Sequence, residues 1–343
     1  MNILRITKKF FIFILIISLS ACGYTSQYTA DFFTMDTAMT VTSYGQNSEN
    51  AVKAVEVEIN RLNALWSVES EQSEIFKLNK DKNLTVCDDT KNLISRAKEI
   101  SALTDGDFDI TVQPLVAEWG FYSALEKRVP TQSEIDGIIK LIGYEKINLS
   151  DNDISLDSGV SIDLGGIAKG YASYSAAKIL KDNGIKSAVM SLGGNVRVIG
   201  TKPDGAEWTV AIADPDDNSS NIGVLKVCDT AVITSGGYQR FFEKDGKIYH
   251  HIIDPKTGYP AQSGLKSVTV VSDDDILADA LSTALFVKGL DASSKFYKQN
   301  SGLFEAIFVT EDNKIFITPK LEDAFSSNRE FEVIQPRKTE YGL

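Results

Sequence analysis

The stretch SIDLGGIAKGYASYSAAKIL, residues 161–180, sets an acid, two adjacent glycines and a lysine ahead of an apolar pattern at helical spacing. VSIDL reads as a strand, Gly165-Gly166 as a turn and AKGYASYSAAKIL as a helix. Glycines at such a junction let a ligand approach the backbone, and the first turn of a helix offers free N–H groups to an anion. Lys169 opposes the helix dipole in that turn, so it suits a bound anion better than it suits the helix alone. The spacing matches neither the Walker nor the dinucleotide fingerprint, and a plain structural turn is the competing reading.

A second candidate lies in DDDILADALSTALFVKG, where Asp279 and Thr283 stand four residues apart and share one helix face. A carboxylate and a hydroxyl at that spacing can offer oxygens to one hard cation such as Mg²⁺. Asp279 interrupts an apolar stripe, where an unpaired carboxylate is costly, so a buried lysine partner is the alternative. Asp273, Asp274 and Asp275 read as a solvated first turn. His250 and His251, the only histidines of the chain, point to opposite faces if their segment is a strand, so at most one serves a given site. A histidine near neutral pKa suits proton transfer. Asp254-Pro255 and Thr257-Gly258 close a turn behind them. Asp105, Asp107 and Asp109 resemble part of a calcium loop but lack its later glutamate.

These residues need a scaffold. FFTMDTAMTVTSYG, SVTVVS (267–272) and EAIFVT (305–310) have strand composition. Residues 48–65 repeat apolar positions at helical spacing, with Ser48 as candidate N-cap. A second helix is expected over 88–103, and a short one led by Ser70 or Ser73. Helices and strands alternate without an internal repeat or low-complexity linker, which predicts a single α+β body with two lobes.

The ends and the composition narrow the setting. Arg5, Lys8 and Lys9 precede an apolar run and then LSAC, the form of a secretory leader whose apolar core is short for a membrane span. LSAC has the pattern of a bacterial lipobox, predicting lipidation at Cys22 and attachment to the extracytoplasmic face of the cell membrane. The expected division is a signal peptide over 1–21, a lipidated tether over 22–30 and one catalytic domain over 31–335. Losing the three basic and no acidic side chains of residues 1–21 takes the formal charge from −12 to −15. So acidic a body argues against nucleic acid as a partner and leaves membrane attachment to the lipid. Cys87 and Cys228 allow one disulfide that nothing in their spacing compels.

Taken in order, TMDTAMTV, SEIFKLN, GDFDITVQPLVAEWGF, DLGGIAKGYA, SLGGN, ITSGGYQR, HIIDPKTGYPA and ADALSTALFVKG resemble the ApbE-type FAD:protein FMN transferases, over roughly residues 30–310. The resemblance implies FAD and Mg²⁺, with transfer of FMN to a threonine of an acceptor protein, a redox protein with an FMN-binding domain, and release of AMP. Carried over by motif position, Met35, Asp107, Phe108, Asp109, Asp163, Lys169 and Ile253 would contact FAD. Gly166, Asp279 and Thr283 would hold the metal, and His251 would take the catalytic position. An FAD pyrophosphatase giving FMN and AMP, or a flavin-binding lipoprotein without catalysis, are the alternatives. The chain departs from the family pattern at Asp36, where glycine is frequent, at Glu69, where an aromatic often stands, and at Tyr174, where an acid is frequent. Trp66 is a possible substitute for that aromatic. No acceptor segment of the Ser-Gly-Ala-Thr kind occurs in the chain itself.

Overall fold

Period-two alternation lets the central strands serve two cores at once. In Leu265–Ser272, Val268 and Val270 face one core while Val271 faces another; in Glu305–Thr310, Ala306 and Phe308 part from Ile307 and Val309 in the same way. The computed structural model describes residues 26–122 and 124–334, and its mixed helix and sheet is the α+β body expected. Its main sheet has nine strands. From one edge they are Gln27–Thr34, Thr37–Tyr44, Ser187–Leu192, Asn195–Ile199, Ala231–Gly236, Leu265–Ser272, Glu305–Thr310, Ile315–Ile317 and Phe331–Val333. Neighbours are antiparallel except the last pair.

One face of the sheet carries the helices Ser48–Trp66, Ala168–Asp182 and Asp275–Asn300, called here the first helix, the lysine helix and the aspartate helix. The other face carries a three-stranded sheet of Trp208–Asp214, Asp217–Val227 and Phe325–Ser326. A third, aromatic core of Leu115, Trp119, Phe121, Ile135 and Ile253 stands apart and holds the hairpin Phe241–Lys244/Lys247–His250 through Phe242 and Tyr249. The site lies where this aromatic lobe meets the helix–sheet lobe.

The helix over Asp88–Leu103 and the strand Glu305–Thr310 fall where the sequence predicts them, and Ser73, not Ser70, caps the short helix Glu74–Asp81 by accepting from Phe76 N–H. Three expectations change, and the open question of the cysteines is answered. VSIDL is extended but joins no ladder among the described residues; Asn79 accepts from Ile162 N–H and donates to its carbonyl, and Asp163 N–H donates to Ile110 O. Ser48 does not cap the first helix; its hydroxyl donates backwards to Gly45 O (2.7 Å). FFTMDTAMTVTSYG is two strands, and the first begins at Gln27, inside the stretch expected as a tether. Cys87 and Cys228 are both free, the one at the start of a helix and the other exposed. The leader, Cys22 and residue 335 lie outside the described residues.

Candidate functional site

The lysine helix and the aspartate helix run antiparallel, and their contacts climb in steps of one turn. Ser173 Oγ donates to Asp275 Oδ1 (2.5 Å), and one turn on Gly170 N–H donates to Asp279 Oδ2 (2.7 Å). Only glycine permits this approach: a Cβ on residue 170 would come within 2.5 Å of Asp275 O and 2.7 Å of Asp279 Cβ. The lysine helix ends there: Gly166 lies before its N-cap, in the turn that leads into it. The lysine helix has no side-chain cap of its own at Ile167, so Asp279 satisfies one of its orphan N–H groups from the neighbouring helix. The other Asp279 oxygen accepts from Asn195 Nδ2 (2.9 Å).

Asp279 is therefore buried, at 4% exposure, against two neutral donors and no lysine. The expected buried cation belongs instead to Asp275, which is not solvated: it is 3% exposed and lies 3.4 Å from the guanidinium of the equally buried Arg197. Burial still raises the Asp275 carboxyl above its usual range, against the lowering charge of Arg197. Thr283 Oγ1 is half-buried and within 3.2 Å of Ser235 Oγ, which also meets Ser282 Oγ at 2.7 Å.

The glycine turn is built between two loops. Asp163 Oδ1 accepts from Gly165 N–H (2.8 Å) and Oδ2 from the Tyr122 hydroxyl (2.7 Å). Burial, then the Asp163 charge, push the Tyr122 phenol well above its ordinary value. Phe108 packs on the turn, 3.2 Å from where a Gly166 Cβ would stand. The flanking acids are engaged elsewhere. Asp107 Oδ1 pairs with Lys256 (2.7 Å) and Oδ2 with Lys288, tying the turn after the histidines to the aspartate helix. Asp109 accepts from Thr111 N–H and hydroxyl and from Tyr144 N–H. Its carboxyl is raised, chiefly by burial. Asp107 and Asp109 thus turn to different partners, and no group of three or more acids that could hold a metal occurs among the described residues.

The hairpin turn Met35-Asp36 sits at the same end, with Thr37 packed against Gly193 of the SLGGN turn that also supplies Asn195. Both turn residues have positive φ, 51° and 56°, the region a two-residue hairpin demands. Asp tolerates it better than most residues, which accounts for Asp36 being accommodated in the turn. Ile253 places its side chain in the aromatic core, not in an open space. Trp66 does not fill in for an aromatic at residue 69: its indole donates to Thr90 Oγ1 (2.9 Å) in the main core.

The two histidines do diverge. His250 ends a strand, lies edge-on to Phe286 at 5.4 Å, and sets Nε2 3.0 Å from Ala261 O. His251 turns the other way toward Phe121 (6.4 Å) and sets Nδ1 3.1 Å from Arg240 O. A carbonyl can only accept, so Nδ1 carries the proton and Nε2 keeps its lone pair, with no partner among the described residues. Burial, the Arg240 guanidinium, His250 and Lys169 together push His251 down to about 4, so it is neutral at pH 7. Beside it opens a cleft of about 370 Å³ lined by Phe121, Tyr122, Leu125, Lys127, Arg240 and Phe241. Sequence reasoning assigned no role to Tyr122, Arg240, Asn195 or Gly170. Gly170, Asn195 and Arg240 carried a signal, as members of the segments DLGGIAKGYA, SLGGN and ITSGGYQR.

A glycine turn with a lysine at a helix start, a buried acid held by neutral donors and a neutral histidine with a free nitrogen are of the kinds that binding a phosphorylated ligand and moving one proton require. The ApbE family model matches residues 35–308, and the chain belongs to the ApbE family. It is 33% identical over 277 residues to the FAD:protein FMN transferase of Klebsiella pneumoniae, covering 78% of this chain and 84% of that one. The ApbE protein of Thermotoga maritima superposes with a TM-score of 0.79 at 35% identity, over 84% of this chain and 96% of that one. The apo flavinyl transferase ApbE of Pseudomonas stutzeri does so at 0.77 and 27% identity, over 88% and 95%.

Proposed function

We propose that this chain is an FAD:protein FMN transferase that moves FMN from FAD to a threonine hydroxyl of an acceptor protein. The observation that carries the reading is His251, neutral and with Nε2 free, in a member of this family whose lysine helix opens on the Gly165-Gly166 turn. The acceptor oxygen attacks the phosphorus of the FMN half while its proton passes to His251 Nε2. The bond from that phosphorus to the bridging oxygen breaks, and AMP leaves with the bridging oxygen and its electron pair. Catalysis of such a step is largely positioning and charge stabilisation. Lys169 and the first N–H groups of the lysine helix would meet the pyrophosphate.

The residues fit Mg²⁺. The described residues hold no cluster of three or more His, Cys, Asp or Glu, and the oxygens that the resemblance offers are the Asp279 carboxylate, the Thr283 hydroxyl and the Gly166 carbonyl. All are hard donors, and a carboxylate oxygen that accepts one hydrogen bond keeps a second lone pair. Mg²⁺ bound there would neutralise charge on the leaving and transferring phosphates.

Anchoring through Cys22 at the extracytoplasmic face belongs to the same reading, supported by the LSAC leader. No helix of the described residues is long and apolar enough to cross a membrane. Incubating the chain with FAD, Mg²⁺ and an FMN-binding domain should give a fluorescent acceptor band that survives denaturation. AMP released at the same rate without acceptor, and no covalent flavin, would identify an FAD pyrophosphatase instead. Cys22→Ser should move the protein from the membrane to the soluble fraction.

A further inference from the structure

The hairpin Phe241–Lys244/Lys247–His250 begins directly after Arg240 and ends directly before His251. Its register pairs Phe241 with His250 and Glu243 with Ile248, so these four share one face, while Phe242 and Tyr249 share the other. The second face is fixed: Phe242 stacks on Tyr249 (5.3 Å), and both pack on Trp119. On the first, His250 packs against Phe286, but Phe241 is 46% and Ile248 59% exposed, and Leu125, 45% exposed, shares the adjoining cleft with Phe241. The hairpin joins no other strand among the described residues, so its edges are also open. Three large apolar side chains left bare in one place, next to the catalytic histidine, mark a contact surface.

We infer that this face is the docking surface for the acceptor protein, which lays an extended segment along the hairpin to bring its hydroxyl to His251 Nε2. The inference rests on the transferase reading above. An acceptor must reach His251, whose ring meets two residues of this cleft, Phe121 and the Arg240 carbonyl, and the hairpin is continuous in sequence with it. Charge defines the occupant further. Lys127 and Arg240 at the cleft form no ion pair with a described residue, in a chain of formal net charge −12, while Lys244 and Lys247 lie on the other face of the hairpin, Lys247 over the Tyr249 ring (5.4 Å). The segment that fits carries apolar side chains for Phe241 and Ile248 and an acid for the two cleft cations, with backbone groups able to extend the hairpin.

The test measures steady-state FMN transfer by the full chain to a recombinant FMN-binding domain carrying a Ser-Gly-Ala-Thr segment. Ile248→Glu should raise the acceptor KM about tenfold, as expected for an apolar contact replaced by a desolvated charge. Its FAD KM and its kcat at saturating acceptor should stay within about twofold, and Ile248→Leu should restore the acceptor KM. An unchanged acceptor KM in Ile248→Glu, with normal transfer by the wild type, overturns the docking surface alone. An FAD KM that rises in step with the acceptor KM assigns the patch to the flavin and overturns it equally. No covalent flavin from the wild type, by contrast, defeats the transferase reading and the docking surface with it.

Discussion

Asp275 and Asp279 stand one turn apart on one helix, are buried to the same degree, and each accept a hydrogen bond from the lysine helix. They differ in charge compensation. Asp275 is neutralised from within by Arg197, whereas Asp279 meets only the neutral donors Gly170 N–H and Asn195 Nδ2. A buried carboxylate without a cation is costly unless something supplies one. The first acid therefore holds the helix pair together, and the second is left with an unmet charge facing the glycine turn.

The comparison breaks most sharply under isosteric neutralisation. Asp279→Asn keeps an acceptor for Gly170 N–H, so the fold should survive, but Mg²⁺-dependent FAD cleavage should fall by about three orders of magnitude. That figure corresponds to the several kcal/mol that metal charge stabilisation contributes. Mg²⁺ titrations of turnover and thermal melts read the two effects separately, and an unchanged Mg²⁺ dependence would sink the metal assignment. Asp275→Ala should do the reverse. It strands Arg197, whose remaining partner is the half-exposed Asp229 at 3.3 Å, and costs roughly 3 kcal/mol of stability at the low end for a broken buried pair. Chemical denaturation measures it; a variant as stable as the wild type would show that Arg197 needs only Asp229.

Much of this was legible in the sequence where interactions are local. The strand at 305–310, the helix at 88–103 and the shared face of Asp279 and Thr283 follow from periodicity alone. Asp275 precedes Asp279 by four residues and shares that face too, so its burial was readable, yet two neighbouring acids made it look like a solvated cap. What sequence could not show is pairing across distance. VSIDL has strand composition but is held by Asn79 from another helix, and nothing local reveals that Arg197 or Asn195 will arrive at the aspartate helix. Asp109 and Asp107 carry the family pattern, but their partners in this chain are Thr111, Tyr144, Lys256 and Lys288.

Gly170 tests whether the two acids depend on one close approach. A methyl group there meets backbone and Asp279 Cβ inside ordinary contact distance, so the helices must separate. Gly170→Ala should cost about 1–3 kcal/mol, the usual scale of overpacking, and should weaken both acids' contacts together. A melt close to wild type, with the Mg²⁺ dependence intact, would mean that the helix junction is softer than its geometry implies.

The adjacent histidines repeat the comparison with the smallest expected effect. His250 has Nε2 occupied by Ala261 O, while His251 commits Nδ1 to Arg240 O and leaves Nε2 open. The fold disfavours charged His251, lowering it from 6.5 to about 4, first through burial and then through nearby cations. Because the folded value is depressed, this group's contribution to stability is full above about pH 6.5 and is lost as the pH falls toward 4. The difference between wild type and His251→Gln in denaturation midpoints should therefore narrow or change sign across that window. The same neutral form is needed to take the acceptor proton, so the acidic limb of kcat/KM should lie well below the ordinary histidine value. Lys169→Met removes one of the cations that hold the value down, and its limb should move upward, on top of any loss from weaker phosphate binding. A wild-type limb near pH 6.5 that Lys169→Met leaves in place would show that the histidine taking the proton does not feel this lysine.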